Sequence, residues 1–113
     1  NLGPDAYDIV VCTQSIHHFP PSMIARMFRE ACRAAGRGVV FIDGCRSMTL
    51  GVVVPLIGVL RFRDTGLAHD AFVSCRRFYS PEELGLLAKL GPEAPGVVAE
   101  WMRPAHCLLR FSR

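Results

Sequence analysis

Two adjacent histidines, His17 and His18, follow an apolar run that ends in Cys12, Thr13 and Gln14. Histidine exchanges protons near neutral pH. A doublet just beyond a strand is therefore a candidate for a ligand-facing role, with loop-capping structural histidines as the equal alternative. Metal ligation fits poorly, because neighbouring side chains diverge and no carboxylate or cysteine accompanies them at ligand spacing. Further along, Arg46 follows a second apolar run and could hold an anionic group, although a surface pairing with Asp43 is the favoured expectation. Phe78 and Tyr79 precede a strong helix start, where they either line an acceptor pocket or staple the helix. No G-x-S-x-G elbow is present, so a hydrolase built on the histidines ranks last.

These residues need elements to hold them. Residues 7–13 read as a short β-branched strand buried on both faces, as in a parallel sheet. Pro20-Pro21-Ser22 opens a helix over 21–35, with Ser22 as its cap. Gly36 and Gly38 read as a helix stop and turn before a strand over 38–43 that ends at Asp43. Residues 46–63 are apolar all round, which fits either a buried helix kinked at Pro55 or a lid segment, and a helical lid is the favoured expectation. Ser80, Pro81 and Glu83 form a capping box opening a helix over 80–90 that stops at Gly91-Pro92. Residues 96–112 read as an antiparallel hairpin turning at Arg103-Pro104.

The 113 residues are half hydrophobic, enough for one domain with a real core. The formal charge of +3 comes from twelve arginines and Lys89 against ten acids. The arginines are dispersed, which argues against a nucleic-acid partner. The longest apolar stretch, residues 50–60, is too short to span a bilayer and contains Gly51, Pro55 and Gly58. Cys12, Cys32, Cys45, Cys75 and Cys107 are widely spaced, odd in number and without a C-x-x-C pair, which points to a reduced, cytoplasmic protein.

The order of elements resembles the C-terminal half of a class I S-adenosylmethionine-dependent methyltransferase, a Rossmann-like α/β sheet. The resemblance covers nearly the whole chain. It rests on Tyr7-Asp8-Ile9-Val10-Val11, on Ser15-Ile16-His17-His18-Phe19, on RAAGRGVVFID at 33–43, and on Phe78-Tyr79-Ser80-Pro81-Glu82-Glu83-Leu84. It implies that the first two strands are the family's fourth and fifth, followed by the closing antiparallel hairpin. It also implies that Cys12, Thr13 and Gln14 approach the methionine part of S-adenosylmethionine. His17 or His18 would face a small-molecule acceptor, with Arg46, Phe78 and Tyr79 lining its pocket. The family's glycine-rich turn and ribose-binding acid have no counterpart in these residues. The chain is therefore expected to be a fragment or C-terminal half, inactive as given, whose partner is a missing N-terminal half or a second copy. The alternative is a non-catalytic stand-alone α/β module that self-associates through an exposed strand edge or its apolar segment.

Overall fold

The computed structural model describes residues 3–63, 65–90 and 96–113. Four strands, β1 (Tyr7–Thr13), β2 (Ala35–Gly44), β3 (Val98–Met102) and β4 (His106–Ser112), form one sheet in the order β1-β2-β4-β3. β1 and β2 run parallel, joined by helix α1 (Pro21–Ala34), while β4 pairs antiparallel with both β2 and β3. The result is a mixed α/β sheet. The expected helix stop at Gly91-Pro92 lies outside the described residues.

The alternation of side chains along each strand decides where the core lies. Val10 and Cys12 on β1, Val39 and Phe41 on β2, and Cys107, Leu109 and Phe111 on β4 all face the same way. Against them pack Ile24, Phe28 and Ala31 of α1 and Leu84 and Ala88 of α4 (Pro81–Lys89). Phe28 meets Phe41 edge to face, with ring centroids 5.5 Å apart, a geometry favoured by the aromatic quadrupole. The opposite face carries Ile9, Val11, Val40, Ile42 and Leu108, and Ile9 and Val11 are 55% and 59% exposed. β1 was expected to be buried on both faces. It is instead an end strand whose second face is open among the described residues.

Local chemistry explains where two further expectations fail. Ser22 does not cap α1: Pro20 is the N-cap, Pro21 occupies the first helical position, and the amides of Met23 and Ile24 donate to the carbonyl of Pro20. Proline at that position fits because its missing N–H would have had no helical partner. Nor do Gly36 and Gly38 make a turn. α1 passes into β2 directly at Ala35, and both glycines lie within the strand. At Gly38 the reason is close approach, since a Cβ there would lie 2.7 Å from the Phe111 carbonyl oxygen on β4.

Residues 46–63 hold a helix, α2 (Met48–Phe62), capped by Ser47 and containing Pro55. It pairs with α3 (Thr65–Arg77), a helix the sequence pattern did not reveal. The two pack chiefly on one another. Their roots are tied together: Cys45 bridges to Tyr79, and the Arg46 amide donates to the Tyr79 carbonyl at 3.2 Å.

Candidate active site

The parallel register places Cys12 beside Phe41 and Thr13 beside Ile42, so both strands leave the sheet at the same edge. There the chain turns sharply. Gln14 takes a left-handed conformation with φ of 52°, its amide donates to the Ile42 carbonyl at 2.9 Å, and Ser15 Oγ donates back to the Thr13 carbonyl. A positive φ is uncommon for a residue other than glycine and marks a turn held by its surroundings. A single 3-10 turn, Ile16–His18, follows, and Ile16 is driven into the core.

That turn carries His17 back over the end of β2, onto Asp43. Asp43 is 3% exposed, and its carboxylate accepts three N–H groups. The His17 amide donates to Oδ2 at 2.8 Å, the Gly44 amide donates to Oδ1 at 2.8 Å, and His17 Nδ1 lies 2.9 Å from both oxygens. With a carboxylate on that side, the neutral form of the ring is the tautomer with its proton on Nδ1 and its lone pair on Nε2. Among the described residues no buried side-chain nitrogen or oxygen lacks a hydrogen-bond partner, and the ring's hydrogen bonds all run through Nδ1. Nε2 is thus the nitrogen that meets solvent.

Aromatic packing fixes the imidazole further. His18 stacks obliquely at 4.1 Å between centroids, and Phe78 meets the His17 ring edge-on at 4.9 Å. Phe78 reaches this position because Gly44 leaves room. A Cβ on Gly44 would lie 2.3 Å from the Phe78 ring. His17 lines an open cleft of about 550 Å³ together with His18, Phe19, Arg46, Arg77 and Tyr79. Of the two histidines, then, His17 is buried and oriented, while His18 is exposed beside it.

Arg46 does not pair with Asp43, whose oxygens are taken by His17 and Gly44. Its guanidinium instead donates to Glu83 Oε1 and to the Phe78 carbonyl, both at 2.8 Å. Glu83 serves twice, since its other oxygen accepts the Ser80 amide and completes the capping box of α4. The Arg46–Glu83 pair is half exposed and so worth no more than about 1 kcal/mol, but it joins the cleft wall to α4. Tyr79 donates its hydroxyl to the Phe19 carbonyl at 3.0 Å. Burial, and then the charge of Glu83, push its pKa upward against the opposing pull of Arg46, which keeps the phenol a donor.

Cys12, Thr13 and Gln14 lie at the sheet's exit edge, with Thr13 and Gln14 exposed. Burial, followed by the charge of Asp43, raises the Cys12 pKa, so this residue presents a neutral thiol and no nucleophile. Asp43 was missed as a functional residue by sequence reasoning. The available signal was a single acid ending an apolar strand, in parallel with a strand whose exit carries histidines. No protein-family model matches the chain, and no curated protein matches it with significance.

Proposed function

We propose that the chain is the C-terminal half of a class I S-adenosylmethionine-dependent methyltransferase acting on a small-molecule acceptor, with His17 and Asp43 as its proton-accepting pair. The observation that carries this reading is the exit edge itself. Two parallel strands end side by side there, one leading into the exposed Thr13-Gln14 turn and the other into Asp43, with an oriented imidazole between them. Ligands of parallel α/β sheets sit beyond the carboxyl ends of the strands. The mixed sheet, with two parallel strands and then a closing antiparallel hairpin, agrees with the arrangement the resemblance implies. The open edge of β1 and the exposed Ile9 and Val11, beside the half-buried Val40 and Ile42, are the surface that an N-terminal half would cover.

S-adenosylmethionine would supply an electrophilic methyl group. The residues here offer it one strand exit, Cys12 to Gln14, and no glycine-rich turn, so they do not make a complete site for it. The chemistry of this chain is on the acceptor side. Nε2 of His17 takes the proton from an acceptor hydroxyl in the cleft, and Asp43 holds the ring in the required tautomer and stabilises the imidazolium that forms. Such a base contributes about 10²- to 10⁴-fold.

A fusion placing the glycine-rich N-terminal half of a class I methyltransferase before this chain tests the reading. The fusion should bind S-adenosylmethionine in calorimetry and methylate hydroxyl acceptors, with His17→Ala slowing transfer about 10²-fold or more. A folded fusion that binds no S-adenosylmethionine counts against it. The same open strand edge favours a second reading, a stand-alone module that self-associates through β1. That reading requires the chain alone to be a stable dimer in light scattering.

A further inference from the structure

The α2–α3 hairpin is built inside out. Its contact surface is made of small residues: a Cβ on Gly58 would lie 3.3 Å from Ala68, and one on Gly51 would lie 4.0 Å from Cys75. Gly58 of α2 and Ala68 and Cys75 of α3 are the residues these helices bury. The large side chains point the other way, with Val52, Val53, Leu56, Ile57 and Leu60 forming a broad outer face whose exposure runs from 40% to 72%. A helix pair in water hides its large apolar groups and shows polar ones. Close packing through small residues, with bulky apolar groups outward, is how helices pack in lipid. Pro55 in the interior of α2 fits the same setting, since proline is more frequent in membrane-embedded helices than in soluble ones.

Charge selects the occupant of this face. Residues 46–77 contain five arginines against two aspartates, and α2 itself has no acidic residue. Arg61 and Arg63 stand at the tip of the hairpin and Arg76 and Arg77 at its root, where Arg46 is already paired with Glu83. A second copy of the chain would bring like charges together around the apolar face. An anionic lipid surface would neutralise them. α2 has 15 residues, which at about 1.5 Å each fall well short of a hydrocarbon core of about 30 Å. No helix among the described residues is long and apolar enough to cross a membrane. The hairpin therefore fits the interface, with its apolar side in the acyl boundary and its arginines among headgroups.

We propose that the α2–α3 hairpin docks the protein onto anionic lipid surfaces. The cleft of His17 lies at the root of this hairpin, so docking would set it beside the bilayer, open to acceptors partitioned there. The surface assignment needs neither a cofactor nor an activity.

Co-sedimentation of the purified chain with phosphatidylcholine vesicles, with and without phosphatidylglycerol, tests it. The chain should pellet with the anionic vesicles, and its affinity should fall about tenfold or more on neutral ones or when Arg61→Glu and Arg63→Glu are combined. Leu56→Glu with Leu60→Glu, both at exposed positions, should abolish pelleting while leaving the circular dichroism spectrum unchanged. A chain that stays in the supernatant with both vesicle types overturns the proposal. So does dimerisation in light scattering that Leu56→Glu with Leu60→Glu abolishes without vesicle binding, because it assigns the face to a second copy. Pelleting that neither pair of substitutions alters overturns it as well.

Discussion

Asp43 is the residue on which the exit edge depends. Its two oxygens satisfy the amides of His17 and Gly44 and the Nδ1–H of His17, all in a buried site. Removing the carboxylate leaves three donors short of partners, at about 1 to 3 kcal/mol for each one that water cannot reach. Asp43→Ala should accordingly lower stability by about 3 kcal/mol in urea unfolding. Asp43→Asn is the finer probe. With one oxygen for three donors, and an NH₂ that cannot accept, it should move the His17 ring toward the Nε2–H tautomer, visible in long-range ¹H–¹⁵N spectra, and remove the lone pair from the cleft. An unchanged tautomer would separate Asp43 from the proposed base. The histidine doublet was legible in the sequence because residue type alone advertises proton transfer. Its partner was not, because 26 positions separate His17 and Asp43, and only the parallel pairing of their strands brings them together. The same distance explains why Arg46, close in sequence to Asp43, was given the wrong acid.

The buried thiols make a second prediction at this scale. Burial raises the pKa of Cys12, Cys32, Cys75 and Cys107, reinforced at Cys107 by neighbouring Cys45. In the unfolded chain these thiols ionise near 8.5, while in the fold they remain protonated above that. The unfolded state therefore binds fewer protons between the two values, and stability falls as pH rises through this window. It is fully present below the unfolded value. Each such thiol removes about 1.4 kcal/mol per pH unit. Urea midpoints should hold steady from pH 7 to 8 and drop from pH 9 upward. Cys75→Ser should flatten the drop, and a midpoint indifferent to alkaline pH would contradict the burial of these groups.

At the level of elements, two glycines of β2 separate backbone constraint from side-chain constraint. A Cβ on Gly38 meets the carbonyl oxygen of Phe111, a backbone atom of the paired strand, whereas one on Gly44 meets the movable ring of Phe78. Both Gly38→Ala and Gly44→Ala should destabilise by about 1 to 3 kcal/mol, but only the second should be relieved by a partner change. Combining Gly44→Ala with Phe78→Ala should cost less than the sum of the single changes, because Phe78→Ala removes the clash. A strictly additive double-mutant cycle would show that Phe78 does not press on Gly44. α4 was readable in advance because its capping box is a local signal of fixed spacing, and Ser80 and Glu83 make both of its bonds. α3 was not readable, since it buries Ala68 and Cys75 against glycines and so lacks the periodic large apolar residues by which helices announce themselves. Gly36 and Gly38 looked like a turn for a related reason. Sequence does not distinguish a glycine needed for a positive φ from one needed for close approach.

For the molecule as a whole, the decisive asymmetry among the described residues is a sheet packed by helices on one face and exposing Ile9 and Val11 on the other. β2 and β4 are paired on both edges, whereas β1 is paired on one edge and presents Ile9 and Val11 to solvent. A strand in the middle of a parallel sheet tolerates no charge, because an unpaired buried charge costs several kcal/mol. Val11→Lys in this chain should instead change stability by no more than about 0.5 kcal/mol, as at other surface positions. An added lysine on an end strand also discourages edge-to-edge pairing. The same substitution should therefore suppress any concentration-dependent association seen by light scattering. In the fusion with an N-terminal half it should have the opposite consequence, unfolding the domain or preventing the halves from docking, because β1 would then lie inside a continuous sheet with both faces covered. If Val11→Lys destabilises the isolated chain by several kcal/mol, the second face of β1 is already occupied in solution and the N-terminal half is not what it awaits. If the lysine is harmless in both contexts, β1 is a true outer strand and the methyltransferase reading loses its structural basis.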